Sequence, residues 1–325
     1  MSSLKLPESV PSPAQDSERL REVFRRRKNK NASEIIWILG HRDSKHRKEI
    51  KYEYEKLFGQ SLIKSLHSEL SASAEFKWQS AVELWLYDAP ERDARLAWMA
   101  LRTMSKKKRI KNHLQAIVEI ACASSPHHLM AVRQAYRNLF DCSLEEDIAY
   151  NVSQPLRKLL VGLASSYRYD KEVLELNVAN SEAAKLREAI ERKQLGNDEV
   201  VWILSTRNFF QLKETFKSYK QTYDIPIDED IRSSAKDELG FILRVVVLCI
   251  DSPEKHFIEV ISSSMVGSKA DIPDSVTRVI VSRAEKDLVN IKTEYLNTNK
   301  TTLSSALTGD TYYKDFLMAL LGEQL

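Results

Sequence analysis

Four short apolar stripes punctuate the chain: Ile35, Ile36, Ile38 and Leu39; Ile117, Val118, Ile120 and Ala121; Val200, Val201, Ile203 and Leu204; and Val276, Val279 and Ile280. Their spacing is that of one helix face. Each stripe runs into an anchor, Arg42, Ser124, Arg207 or Arg283, and beyond each anchor the same positions recur without a gap. At +12 stand Tyr54, Tyr136, Tyr219 and Tyr295; at +20, Leu62, Leu144, Ile227 and Leu303; at +27, Glu69, Asn151, Ser234 and Asp310. A unit of roughly 80 residues is repeated four times, and no copy could bury its apolar faces alone.

Within the first copy the pattern predicts five helices. The first follows Ser12-Pro13, with Ser12 or Asp16 available as cap, and turns Leu20, Val23 and Phe24 inward. The second carries the apolar stripe over residues 34–41. The third spans 43–58, with Ile50, Tyr54 and Leu57 on its buried side. Two shorter ones follow over 61–70 and 75–86, the last facing Phe76, Ala81, Val82 and Trp85 inward. The expected division is a short irregular tail (1–13) and repeats over 14–86, 87–169, 170–250 and 251–325.

Composition agrees with an all-α class, since Gly and Pro are scarce at 8 and 9 residues and good helix formers abound. No stretch approaches the 18 or more apolar residues of a membrane-spanning helix, and no apolar signal core opens the chain. Cys122, Cys142 and Cys249 are odd in number and widely spaced, unlike a disulfide framework or a zinc site. These features predict a cytoplasmic protein that meets a membrane, if at all, from outside. The net charge of +3 names no partner; the distribution of charge is more informative. Two basic runs stand out, Arg25, Arg26, Arg27, Lys28 and Lys30, and Lys106, Lys107, Lys108, Arg109 and Lys111.

The motifs Ile38-Leu-Gly-His-Arg42, Arg92-Asp-Ala94, Val118-Glu-Ile-Ala-Cys122, Arg133-Gln-Ala-Tyr136, Tyr167-Arg-Tyr169, Arg283-Ala-Glu285 and Leu320-Leu-Gly322 resemble the annexins, and in detail the plant ones. The match runs over about residues 11 to 322. The resemblance implies a slightly curved disc of four five-helix repeats, whose convex-face loops carry calcium that bridges to acidic phospholipid.

The family's calcium loop reads Lys-Gly-x-Gly-Thr, completed by an acidic residue about 40 positions later. Calcium wants oxygen ligands, here carbonyls plus a bidentate carboxylate, and glycine lets the backbone turn its carbonyls inward. In this chain the Gly-x-Gly-Thr positions hold Arg27-Lys-Asn-Lys30, Arg109-Ile-Lys-Asn112, Arg192-Lys-Gln-Leu195 and Ser268-Lys-Ala-Asp271, with no glycine in register. The carboxylate position is acidic only at Glu69 and Asp310. A weak residual site is therefore expected at most in repeat IV, through Gly267 and Asp310, with Glu69 as half a site in repeat I. No cofactor is required on this reading, and any calcium binding is weak.

The basic runs fall on the loops that lost their glycines. Lysine or arginine near an anionic leaflet contributes on the order of 1 kcal/mol each, so metal-free, salt-sensitive binding to anionic phospholipid membranes is expected. Self-association on the membrane stays open. Nucleic acid is not the expected partner, because few aromatics interleave with the runs. Three other readings stay open. Conventional calcium-dependent binding through a repeat IV or repeat I remnant is one. A redox or peroxidase-like role is another: His41 matches a histidine for which peroxidase activity has been proposed in plant annexins, and Cys122 and Cys249 match a proposed redox cluster. Modulation of a cation conductance, in a stress-related setting, is the third. The primary expectation is a non-enzymatic peripheral membrane binder.

Overall fold

Local signals fix where the helices begin and end. The computed structural model describes residues 1–26, 32–70, 76–104, 110–266, 275–307 and 311–323. The first set of helices is α1 (Pro13–Arg25), α2 (Ala32–Gly40), α3 (Ser44–Phe58), α4 (Leu62–Leu70) and α5 (Phe76–Leu86). The second is α6 (Ala89–Met104), α7 (Ile110–Cys122), α8 (Pro126–Phe140), α9 (Leu144–Asn151) and α10 (Leu156–Ser165). The third is α11 (Leu176–Glu191), α12 (Asp198–Thr206), α13 (Phe209–Tyr223), α14 (Ile227–Ser234) and α15 (Glu238–Asp251). The fourth is α16 (Pro253–Val266), α17 (Ser275–Arg283), α18 (Leu288–Asn299), α19 (Leu303–Ala306) and α20 (Thr311–Leu320). Among the described residues no strand occurs. The all-α class and the repeats of five helices stand as expected.

Caps punctuate the series. Ser12 opens α1 with a reciprocal capping box to Gln15, and Asp43, Ser125 and Asn208 cap α3, α8 and α13. The chain divides into two compact units, Met1–Arg92 with Phe257–Leu325, and Asp93–His256. The first unit combines the first and fourth repeats; the second combines the middle two.

In the first unit α2 packs on α20 closely enough that a Cβ at Gly40 would lie 2.9 Å from the Ala319 Cβ. Ile36, Ile38, Leu39, Ile50, Tyr54 and Trp85 fill the core, and the Trp85 indole donates to the Leu39 carbonyl at 2.7 Å. Leu57, expected inside, is 44% exposed. It lies three residues beyond Tyr54 and one before Phe58, and it is Phe58 that packs edge-on against Tyr54. The tail before α1 is irregular yet docked. Ser3 donates its N–H to the Ala284 carbonyl (2.8 Å) and its hydroxyl to Leu320 O (2.6 Å), beside Gly322, whose φ of +72° and contact with Ser3 O exclude a side chain. In the second unit α7 packs on α15, α11 on α13 and α10 on α12, and Ile117, Leu160, Leu163, Ile203, Leu243 and Val246 on these helices are buried.

The recurring skeleton is internal throughout. The four tyrosines at +12 and the four aliphatic residues at +20 are all buried. Arg42 forms a bidentate pair with Asp16 at 2.6 and 3.0 Å, both side chains buried, and Arg207 meets Glu182 at 2.6 Å. In the fourth repeat Arg283 pairs with Asp287 and lies over Phe257. Where the second repeat has Ser124, His128 takes over, meeting Asp93 at 2.7 Å. The first helices of the first three repeats are thus tied by a carboxylate to the region following the second.

Candidate functional site

The loops joining the first and second helices of each repeat are the positions on which the calcium and membrane readings turn. In repeat I, α1 ends at Arg25, and Arg26 folds its N–H back to the Glu22 and Val23 carbonyls while its guanidinium pairs with Glu22 at 3.0 Å. Arg25 and Arg26 are exposed. Arg27, Lys28, Lys30, Lys106, Lys107, Lys108, Arg109, Gly267 and Asp310 lie outside the described residues. The backbones of Glu69 and Lys111 belong to α4 and α7, but their side chains also lie outside the description.

The repeat III loop is described in full. Its backbone satisfies itself: Arg192, Lys193 and Gln194 donate to the Glu188, Ile190 and Ala189 carbonyls, closing α11 with a Schellman-type end. Lys193 takes φ +55°, the left-handed conformation that glycine adopts without strain. The Gln194 carbonyl accepts from Asn197 N–H at 3.1 Å, and Leu195 is buried. Asn197 then caps α12. A calcium cradle needs carbonyl oxygens free to converge on the ion, whereas the Gln194 oxygen, at the second-glycine position, is engaged.

The carboxylate positions of repeats II and III tell the same story from the side chains. Asn151 donates its amide to the Asp147 carbonyl (2.8 Å) and carboxylate (3.2 Å), and Ser234 donates to Asp230 at 3.4 Å. Both aspartates face inward. Asp147 accepts from Tyr136 at 2.5 Å and pairs with Arg102 at 3.2 Å; Asp230 accepts from Tyr219 and from Arg187 at 2.6 Å. Burial, reinforced by the adjacent aspartate, holds both phenols well above the ordinary tyrosine range. Two Arg–Asp–Tyr networks, with the aspartate and phenol buried, therefore lie one helical turn before Asn151 and Ser234. Among the described residues no three His, Cys, Asp or Glu side chains converge on a metal-sized site.

Sequence reasoning missed these networks and also the repeat III basic pair, Arg192 and Lys193. The signals were present: an aspartate at +23 from the anchor in two repeats, and an Arg-Lys step at the loop position.

The annexin family model matches residues 15–75, 99–163 and 181–244. The chain belongs to the annexin family. It is 47% identical to annexin D3 of Arabidopsis thaliana, with 100% of each chain covered. It is 39% identical to the annexin-like protein RJ4 of Fragaria ananassa, over 90% of this chain and 91% of that one. The solved structure of chicken annexin V superposes with a TM-score of 0.82 at 27% identity, covering 99% of this chain and 98% of that one. Annexins bind phospholipid membranes peripherally, usually with calcium, and are generally not enzymes. Among the described residues of this annexin no helix is long and apolar enough to cross a membrane.

The secondary candidates sit in structural settings. His41 is buried at the end of α2, its Nδ1 3.1 Å from the Trp37 carbonyl and its ring 4.4 Å from the Trp37 indole. Burial lowers its pKa, which keeps the imidazole neutral. Cys122 and Cys249 are buried free thiols on the packed helices α7 and α15. Burial pushes the Cys122 thiol up to about 11, against the opposing influence of Arg168. Thiolate chemistry needs the reverse, a lowered pKa and access.

Proposed function

We propose that this annexin binds anionic phospholipid membranes peripherally with little or no dependence on calcium, through basic loops that replace the glycine loops. The observation that carries this reading is the repeat III site. Its loop carbonyl at Gln194 is engaged by Asn197, and its former carboxylate position, Ser234, donates to Asp230. Asn151 in repeat II supports it in the same way. Exposed Arg25 and Arg26, with Arg27, Lys28, Lys30, Lys106, Lys107, Lys108, Arg109 and Lys111 of the two basic runs, supply the attraction. At about 1 kcal/mol per cation near an anionic leaflet, a few engaged side chains give measurable binding.

Vesicle cosedimentation with phosphatidylcholine alone or mixed with phosphatidylserine, in chelator and in calcium, tests it. Binding in chelator that needs phosphatidylserine and weakens with salt is expected. Strict dependence on low-micromolar calcium would overturn the proposal and point to Gly267 and Asp310 or to Glu69.

A further inference from the structure

The charges on α3 run against its own dipole. A helix N-terminus favours acidic side chains and a C-terminus basic ones, yet α3 opens on Lys45, His46 and Arg47 with no acidic residue in its first turn. Two of these cations are answered from inside the first unit, His46 by Asp16 at 3.2 Å and Arg47 by Glu285 at 2.8 Å. Lys45 is exposed, and Lys48, 72% exposed, only approaches Asp88 at 3.8 Å. Asp43, just ahead of the helix, is engaged as its cap by the His46 N–H. Farther along the same outer face Glu49 is exposed, and half-exposed Glu53 meets Lys56 at 3.2 Å. Lys45 and Glu49 stand four apart in the order that pairs less well on a helix, and no ion pair joins them. The outer face of α3 is therefore basic at one end and acidic towards the other.

Beside this face Ser12, Pro13 and Ala14, at the start of α1, bound a largely apolar groove of about 750 Å³. Tyr52, 68% exposed, lines it from α3. The arrangement is particular to the first repeat. At the four charged positions α8 has His127, Met130, Ala131 and Ala135, and in α13 Glu214 is met within its own helix by Lys217 at 3.0 Å.

We infer that α3 packs antiparallel on α3 of a second copy of this chain, forming a two-fold dimer in which Tyr52 of each copy enters the groove of the other. A two-fold interface needs a patch that complements itself, and this one does. With the axis between positions 48 and 49, Lys48 of one copy lies level with Glu49 of the second. Lys45 lies level with Tyr52 and, at a rise of about 1.5 Å per residue, one step from Glu53. Each pairing occurs twice. The phenol ring is buried against Pro13 and Ala14 while its hydroxyl stays at the polar rim. Glu49 and Glu53 oppose an anionic lipid or nucleic-acid surface on this face, and the contact requires neither metal nor membrane.

The test is sedimentation velocity of the full-length protein in chelator without lipid, from about 1 to 100 µM. The wild type should pass from monomer to dimer with concentration. Lys45→Glu/Lys48→Glu and Glu49→Lys/Glu53→Lys should each weaken self-association at least about tenfold, because like charges then face each other across the axis. Tyr52→Ser should weaken it too. Circular dichroism confirms that the variants, altered at exposed or half-exposed positions, stay folded. An equimolar mixture of the two charge variants should recover the dimer, since one now presents four acidic and the other four basic side chains; a fold defect would not be rescued in this way. A wild type that stays monomeric throughout would overturn the inference. So would charge variants that dimerise as well as the wild type, which would place any dimer on another surface, or a mixture that fails to reassociate.

Discussion

Asn151 donates its side-chain amide to Asp147, so the position where an annexin would hold a calcium-binding carboxylate has instead become a donor to the interior. The aspartate it serves is already fixed by Tyr136 and Arg102. On the calcium-poor reading proposed above, the change at this position is a rewiring that goes beyond a single missing ligand.

Restoring the carboxylate alone should fail. Asn151→Asp exchanges a donor for an acceptor beside Asp147, which costs about 1–2 kcal/mol from the lost hydrogen bond and the repulsion. Isothermal titration should show no gain in calcium binding, and urea denaturation should show the loss. A calcium site appearing in this variant would contradict the rewiring.

Asp16→Ala should destabilise the protein by about 3–5 kcal/mol, because it leaves the buried Arg42 guanidinium without its bidentate partner. Replacing both, as Asp16→Leu/Arg42→Met, should recover much of that loss. Denaturant midpoints of the two variants decide the matter.

His41 carries an acid-side signature. Its folded pKa lies below the ordinary histidine value of about 6.5 because burial disfavours the imidazolium. The unfolded chain therefore takes up the proton first as pH falls. The stabilisation is complete above about 6.5 and is lost as pH drops through that value towards the lower folded pKa. His41→Gln should flatten the stability profile below about pH 6.5 relative to the wild type, measured by denaturant unfolding at stepped pH. Purified protein should show no peroxide turnover that His41→Ala abolishes.

The thiols should divide by access. At neutral to mildly alkaline pH, half-exposed Cys142 should react with an aromatic disulfide reagent in the native protein, while buried Cys122 and Cys249 react only after denaturation. Three rapidly reacting native thiols would revive the redox reading. Since burial pushes the Cys122 thiol up to about 11 from an ordinary 9.0, the unfolded state loses its proton first above pH 9, and stability should fall between those values.

The repeated skeleton was legible because repetition separates what every copy must bury from what any one copy happens to carry. Tyr54, Tyr136, Tyr219 and Tyr295 recur at one offset, and all four are core residues. The carboxylate at +23 was harder to see. It is Asp147 and Asp230 in two repeats but Ser65 and Ala306 in the others, and its arginine partners lie 45 and 43 residues upstream. Ser124 concealed its tie altogether, since His128 makes the bond that arginine makes elsewhere. Leu57 was misplaced because the apolar stripe of α3 was extended one position short of Phe58. The loop geometry of repeat III depends on which carbonyl meets which N–H, and side-chain identity does not encode that.

The bond from Ser3 to the Ala284 carbonyl spans 281 residues, and it belongs to a unit assembled from the two ends of the chain. Synthesis proceeds from the N-terminus. The segment Asp93–His256 is continuous and can close as soon as it is made. Met1–Arg92, although synthesised first, must wait for Phe257–Leu325, and during that interval the face of α2 that α20 later covers has no native partner. The oldest part of each nascent molecule therefore cannot complete its native packing until the last part has been made.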